Sequence, residues 1–285
     1  MQRTGFRHLE RLRVRWAEVD LQRIVFNGHY LLYFDTAVAG YWRALALPYH
    51  DTMAALEGDL YVRKATLEYH GSARYDELLE VGLRCARIGR SSMTMEAAVF
   101  RGEQCLVQGE LVYVFADPAT QTSKAVPAAL REVFEAFEAG QAMVELKAGR
   151  WDALGEAAQA IRHAVFAQEQ GIPAGLMSDA ADAAAWHVLA CNRLGRPLAA
   201  GRLLAPGPGV GKIGRMATLA GVRGAGLARQ VLDELVRLAR ERGDRELVLD
   251  AQATAVRFYE RAGFTRAGAD FVEAGLPHVP MRRAL

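Results

Sequence analysis

Two short stretches of this 285-residue chain carry residue types that could do chemistry. The first runs Arg15-Trp-Ala-Glu-Val-Asp20-Leu-Gln-Arg-Ile-Val-Phe-Asn27-Gly28-His-Tyr30. A carboxylate, Asp20, stands on a loop just ahead of a helix start. Free amides at such a start, around Asn27, Gly28 and His29, could polarise a thioester carbonyl. The carboxylate could then attack that carbonyl or activate water. The same pattern also serves as a plain helix cap or turn, so spacing leaves both readings open. The second stretch is Arg223-Gly224-Ala225-Gly226-Leu227-Ala228. Its two glycines let a ligand approach the backbone closely, and the helix that follows aims its unbonded N–H groups and positive dipole end at the loop. A pyrophosphate would fit there. Arg-Gly-x-Gly can equally be a bland strand-to-helix turn.

The elements that position these stretches follow from periodicity. Leu12, Val14 and Trp16 alternate as in a strand, and a loop from Asp20 to Gly28 leads into a helix predicted over His29–Leu45. Tyr30, Phe34, Val38, Tyr41, Trp42 and Leu45 are too many large groups for a surface helix, so it must be enclosed. Alternation at Leu79–Cys85, Met93–Val99 and Val107–Phe115, with reversals at Gly89 and Gly102, supplies strands to enclose it. A further helix between Pro127 and Gly140 shows Leu130, Val133, Phe134 and Phe137 at helical spacing. The second half differs. A helix over 152–167 precedes strands at Trp186–Cys191, Leu198–Leu204 and Lys212–Thr218. The glycine turn then opens a helix carrying Leu227, Val231, Leu235 and Leu238, and Glu246–Leu249 and a helix at Thr254–Ala262 follow. Strand, turn, helix, strand is an α/β signature. The fold class expected is therefore α+β in two domains, residues 1–140 and 141–285.

Composition removes several classes. Apolar residues make up 51% and charged residues 24%, which excludes a disordered or low-complexity chain. No apolar run approaches a membrane span, and the arginine-bearing N-terminus lacks the apolar core of a signal peptide, so a cytoplasmic protein without a membrane partner is expected. Net charge is +2, divided as −2 over residues 1–140 and +4 over 141–285. Neither half has the positive excess that nucleic-acid binding needs. Cys85, Cys105 and Cys191 are odd in number, far apart and set in apolar runs, so they read as reduced buried thiols, with neither a disulfide framework nor a metal site.

Beyond these patterns, x-Asp-x-x-x-Ile-Val-x-x-x-x-Tyr around Asp20, followed by Tyr33-Phe-Asp35, resembles the hotdog-fold acyl-CoA thioesterases of the 4-hydroxybenzoyl-CoA/YbgC type. Leu67-Glu-Tyr-His-Gly-Ser-Ala-Arg-Tyr-Asp-Glu-Leu78 is similar to their tyrosine-to-Ala-Arg-Tyr-Asp strand connection, with Ser72 where proline is commoner. The likeness spans about residues 8–137. It implies a long helix wrapped by an antiparallel sheet, Asp20 as catalytic carboxylate, and Asn27 and Gly28 at the oxyanion. It also implies a homodimer or homotetramer formed through this domain. Gln22-Arg23 departs from the small residues frequent after that Asp, and Asn27 stands where some members carry His or Tyr.

Ile213 to Ala228 resembles the strand and loop of the GNAT acetyltransferases, with Arg223, Gly226 and Ala228 matching [QR]-x-x-G-x-[GA]. Phe258-Tyr-Glu-Arg-Ala-Gly-Phe264 continues the likeness. Ala164–Pro173, His187–Ala190, Ala251-Gln252 and Gly275–His278 are similar to the ElaA/YjcF-type branch. The resemblance implies that backbone groups of Met216, Ala217 and Thr218 lie along a pantetheine arm. The amides of Arg223 through Ala228 would hold a pyrophosphate, and Tyr259 would protonate the leaving thiolate. Glu169, His187 and His278 are candidates for a base or an amine anchor. Gly221-Val222 replaces the acidic-aromatic pair common before the Arg. Acyl-CoA and acetyl-CoA are thus the expected substrates and CoA the product, with an amine as acceptor and no metal. The expected function is thioester hydrolysis by the first domain and acetyl transfer by the second. The alternative is that only one domain is catalytic and the other senses CoA or drives oligomerisation.

Overall fold

The large apolar groups at helical spacing after Gly28 form helix α1, His29–Ala44, and it is enclosed as their number requires. In this computed structural model, which describes residues 1–285, Tyr30, Tyr33, Phe34, Ala37, Tyr41 and Trp42 are all buried. Contacts divide the chain into two units, Met1–Met143 and Val144–Leu285.

In the first unit α1 lies on a five-stranded antiparallel sheet. Its strands are β1 (His8–Arg13), β2 (Asp59–Tyr69), β3 (Leu78–Ile88), β4 (Ser92–Arg101) and β5 (Gln104–Ala116), in the order β1-β3-β4-β5-β2. A Cβ at Gly109 of β5 would stand 2.6 Å from the Phe34 ring, so glycine there is what lets the helix settle on the sheet. Helix α2 (Tyr49–Ala55) follows α1, and α3 (Ala128–Glu138) closes the core, with the Phe134 and Phe137 rings 5.6 and 5.1 Å from Tyr41. Both glycine reversals are present: the Gly89 N–H donates to the Ser92 carbonyl, and Gly102 takes φ +58 between β4 and β5. The first strand differs from the alternation read at Leu12, Val14 and Trp16. It ends at Arg13, and Trp16 begins a tight turn, Trp16–Glu18, where it is 76% exposed.

The second unit holds an eight-stranded sheet. Its first members are β6 (Val144–Gly149), β7 (Trp186–Asn192), β8 (Pro197–Gly207), β9 (Val210–Thr218) and β10 (Glu246–Gln252). β11 (Thr265–Arg266), β12 (Phe271–Glu273) and β13 (Leu276–Ala284) complete it, in the order β11-β13-β10-β9-β8-β7-β6 with β12 also on β13. Helix α4 (Trp151–Arg162) passes into wider π-helical turns over His163–Glu169, so the predicted helix over 152–167 is real but changes geometry midway. Ile161 and Val165 from this element pack on Leu189, Cys191, Ala200 and Ala217 of the sheet. Helix α5 (Leu227–Arg242) covers the other face: a Cβ at Gly201 would meet Met216, Leu235 and Val231 within 2.8 Å. Helix α6 is shorter than predicted, Val256–Glu260, with Ala253–Ala255 forming a tight turn before it.

One junction in this sheet is unlike the rest. β9 and β10 are parallel and pair only through Val210–Lys212 and Glu246–Val248. Beyond that, β9 stays with β8 to Thr218 while β10 stays with β13 to Gln252, so the two strands part. Register along β8–β9 also slips between Arg202–Gly214 and Ala200–Ala217, and Arg215 takes φ +54 within the resulting bulge.

Candidate active sites

In the first unit Asp20, Asn27 and Gly28 share one loop, closed by a bridge between Val19 and Val25. The Asp20 N–H donates to the Ile24 carbonyl, and Arg23, at φ +62, donates back to the Asp20 carbonyl. Asp20 Oδ1 accepts the Gln22 amide at 2.8 Å. The side chain is half-buried, beside a fully exposed Leu21. Gly28 caps α1 with no side-chain partner, but the His29 N–H, expected to be free, donates to the Phe26 carbonyl and the Leu31 N–H to the Gly28 carbonyl. The loop is fastened from behind. Tyr69 Oη donates to the Asn27 carbonyl at 3.1 Å, Val25 N–H to the Ala73 carbonyl, and Ala73 N–H to Tyr30 Oη at 2.9 Å.

Sequence reasoning missed the group that anchors this loop. Glu18 is buried, and its carboxylate accepts Tyr33 Oη at 2.7 Å, the Arg15 amide at 2.7 Å and the Arg15 guanidinium at 2.6 Å. Its own carbonyl accepts the Phe26 N–H, joining the two ends of the Asp20 loop. Burial raises the Glu18 pKa, but these donors outweigh it and hold it below the usual carboxylate value. Tyr33 is pushed well above its ordinary value by burial and by the adjacent anion. Glu18 and Tyr33 are fifteen residues apart, a separation at which no periodic pattern links the two.

In the second unit the parting of β9 and β10 lies next to the glycine loop. Gly226, at φ +80, is the N-cap of α5, a left-handed conformation that suits glycine. Arg223 and Ala225 N–H groups donate to the Ala220 and Val222 carbonyls, and Arg229 and Gln230 both donate to Gly226. The amides of Gly224, Gly226, Leu227 and Ala228 are left with no acceptor in the chain. Unbonded N–H groups at a helix N-terminus are the donors that an anion such as a phosphate takes. Met216, Ala217 and Thr218 lie on β9 past its last pair with β10, so one backbone edge of this segment is unpaired.

The lips of the parting are tied to the π-helical segment. Arg223 grips Glu169 with two hydrogen bonds of 2.7 and 2.6 Å and also donates to the Thr218 carbonyl at 3.0 Å. On the other lip, Gln252 Nε2 donates to Gln170 Oε1 at 3.0 Å. Glu169 is held below its usual pKa by the Arg223 hydrogen bond, so it stays anionic and poorly suited to take a proton at neutral pH. His278 stands opposite Gln252 in the β10–β13 register, with its ring stacked on Phe271 at 5.7 Å and Nδ1 2.9 Å from the Leu276 carbonyl. Tyr259 is packed between Phe258 and Phe264, and its hydroxyl has no hydrogen-bond partner in the chain. Burial alone pushes its pKa up to about 12.

The structure separates His187 from this group. It is fully buried in a charged cluster, with Nε2 2.9 Å from the Asp182 carbonyl and Nδ1 3.3 Å from Arg162 Nη2. The carbonyl requires Nε2 to carry the proton, so Nδ1 accepts from Arg162. Burial lowers its pKa, and the ring is neutral. In the first unit a cleft of about 390 Å³ beside His50, Glu57, Asp59 and Asp117 contains none of the predicted residues. Of its carboxylates, Asp59 accepts Tyr49 Oη and Asp117 accepts the Ala119 and Thr120 amides. The three thiols are unbridged, and burial raises the pKa of each, that of Cys85 to about 12.

Comparison with known proteins assigns a family to each unit. Residues 163–285 match the acetyltransferase (GNAT) domain model, and residues 22–107 match the thioesterase superfamily model. The uncharacterized N-acetyltransferase YjcF of Bacillus subtilis is 31% identical over 124 residues, which is 43% of this chain and 87% of that protein. Among solved structures, Escherichia coli ElaA aligns with a TM-score of 0.46 at 25% identity over 50% of this chain and 99% of its own. DHNA-CoA thioesterase from Staphylococcus aureus aligns at 0.42 and 18% identity, over 46% and 90%. The chain belongs to the GNAT acetyltransferases. Ahead of that domain it carries a thioesterase-superfamily domain of the hotdog fold.

Proposed function

We propose that the chain is a bifunctional CoA-thioester enzyme, with an acyl-CoA thioesterase over residues 1–140 and an N-acetyltransferase over residues 141–285. The observation that carries this reading is the parting of β9 and β10 beside four unbonded amides of the Gly224–Ala228 loop. A pantetheine arm needs a strand edge to hydrogen-bond along, and a pyrophosphate needs unbonded N–H donors. Both are supplied within one stretch of chain, Met216–Ala228. The acetyl-transfer step then follows from the residues nearby. A neutral amine attacks the acetyl carbonyl carbon and a C–N bond forms. The C–S bond breaks, the thiolate takes the Tyr259 hydroxyl proton, and the proton lost by the ammonium passes through solvent to restore the phenol. A buried phenol with no internal partner retains its proton and can give it to a developing thiolate. Glu169 acts here as a positioning residue, fixing Arg223 at the loop, and His278 lies beside the Gln252 lip as an anchor for the amine.

For hydrolysis, Asp20 serves as base or nucleophile. As base it takes a proton from water, the hydroxide adds to the acyl carbonyl, and the C–S bond breaks as Asp20 returns that proton to the departing thiolate, releasing CoA thiol and the free acid. Amides near Asn27 and Gly28 at the α1 N-terminus stabilise the oxyanion. Glu18 holds the loop that carries Asp20. We place the protein in the cytoplasm. No helix is long and apolar enough to cross a membrane, and its cysteines are unbridged. Assembly as a homodimer or homotetramer through the hotdog domain is supported by β2, which has one unpaired edge, and by exposed Tyr61, Val62, Tyr69, Leu31 and Leu32.

Thiol release from a panel of short acyl-CoA thioesters tests the first activity. Asp20→Asn should lower it about a hundredfold or more, the usual span for losing a general base. Acetyl transfer to an amine panel tests the second, where Tyr259→Phe should lower kcat about a hundredfold. No thiol release by the native protein would remove the thioesterase, and unaltered transfer by Tyr259→Phe would remove that proton donor.

A further inference from the structure

The charged cluster around His187 contains three guanidiniums, Arg162, Arg202 and Arg215, and two carboxylates, Asp179 and Asp182. Asp182 accepts Arg162 Nη1 at 3.0 Å and Arg202 Nη1 at 2.9 Å. Asp179 accepts Arg202 at 2.8 Å and Arg215 Nη2 at 3.1 Å. With His187 neutral, the five charges leave one positive charge uncompensated. Arg162 is 0% and Arg202 7% exposed, and the Nε groups of all three arginines are buried with no acceptor. An unmatched guanidinium charge in such a setting is costly unless an anion completes it.

Only one arginine of the cluster can meet an incoming ligand. The Arg215 side chain is 27% exposed, against 0% and 8% for Arg162 and Arg202. It is set in the β9 bulge, next to Met216 of the strand edge assigned to the pantetheine arm. Lys212 pairs with Val248 across the parallel junction, so Arg215 and Met216 come level with Ala251 and Gln252 across the parting. Gln252 reaches Gln170 and Arg215 reaches Asp179, both in the segments on the α4 side of the sheet. The uncompensated charge therefore stands at the mouth of the parting, on the face opposite α5.

We infer that the acetyl acceptor is an amine that carries a carboxylate, and that this carboxylate docks on Arg215. A single surplus charge matches a monoanion and not the double charge of a phosphate, and a guanidinium matches a carboxylate with paired N–H donors. This inference rests on the acetyltransferase reading and names the acceptor class for that site. Asp179 shares Arg215 with the ligand and keeps the guanidinium turned toward the mouth before the acceptor arrives.

The test uses matched acceptors, an amino acid and the amine lacking only its carboxylate, assayed with acetyl-CoA and the full chain. The native protein should favour the amino acid at least about tenfold in kcat/KM, mostly through KM, as for loss of a charge-assisted hydrogen bond. Arg215→Gln should bring the ratio of the two acceptors near one, and Arg215→Lys should restore part of it. Calorimetric titration of both ligands into the CoA-saturated protein supplies a readout that needs no turnover. Preferential binding of the amino acid without acetylation supports the inference and counts against the catalytic reading. Acetylation of both acceptors at equal efficiency overturns the inference and leaves acetyl transfer standing. Equal weak binding with no transfer overturns both.

Discussion

Asp182 is the residue on which the interior charges of the second unit depend, and its replacement by Asn gives a sharp test. Its side chain is 3% exposed and accepts from Arg162, from Arg202 and from the Asp179 amide. Asp182→Asn keeps the shape, removes one of only two anions, and turns an NH2 group toward guanidinium donors. Stripping one partner from a buried ion pair costs about 3–5 kcal/mol, because the surviving charge cannot return to water. For domains somewhat larger than this unit each kcal/mol moves Tm by roughly 2–4 °C, so a fall of about 10 °C is expected. Differential scanning calorimetry at pH 7.5 reads it directly. Combining Asp182→Leu with Arg162→Met should be less damaging than Asp182→Leu alone, since the stranded charge goes with its partner. A Tm change under about 2 °C for Asp182→Asn, or a double variant worse than the sum of its parts, would refute the assignment of these charges as mutually dependent.

Three further outcomes follow from other residues. Glu18→Gln should cost about 1–3 kcal/mol by denaturant unfolding and weaken thiol release, because Tyr33 and Arg15 lose their anionic acceptor behind the Asp20 loop. Gly226→Ala meets no atom within 4 Å, so its cost comes from φ +80 alone, about 1 kcal/mol, with weaker CoA binding by calorimetry. Stability should decline on acidification in two stages. His187 has a folded pKa below its ordinary 6.5, so the unfolded chain takes up a proton that the native chain refuses once pH drops under that value. Asp179 and Asp182 have folded values below 3.8, so their contribution is present above that pH and is lost as pH falls through the folded values. Thermal scans of His187→Gln should show the first stage reduced and the second retained.

Much of the architecture was legible because each element announces itself locally. Tyr30, Phe34, Tyr41 and Trp42 demanded an enclosed helix, and the alternating runs of β3, β4 and β5 supplied its cover. β2 was missed because it lies at a sheet edge with Val62 through Ala65 all exposed, so burial imposes no alternation on its sequence. β13 was missed because Pro277 and Pro280 read as breaks. They are tolerated in the register against Val272 and Asp250. The glycine loop could be read because glycine spacing and a helix start are both local. The Arg162, Asp179, Asp182, Arg202 and Arg215 network could not. Its members come from a helix, a loop and two strands, and only folding brings each guanidinium within 3.1 Å of a carboxylate. The partners of Glu169 and His187 are hidden in the same way: one residue proves to be tied to the loop arginine and the other buried in a core.

The shortness of the β9–β10 seam bears on the mechanics of the second unit. Three residue pairs are all that stitch the two wings of the sheet together at this point. Each wing is stiff in itself, braced by β8 on one side and β13 on the other. Compliance is therefore concentrated at one short hinge. Strand amides that face each other beyond it should take up deuterium quickly in the empty protein, while those along β8 exchange slowly. A slender chain threaded between the wings would act as a missing strand, stiffening the whole sheet far from where it touches.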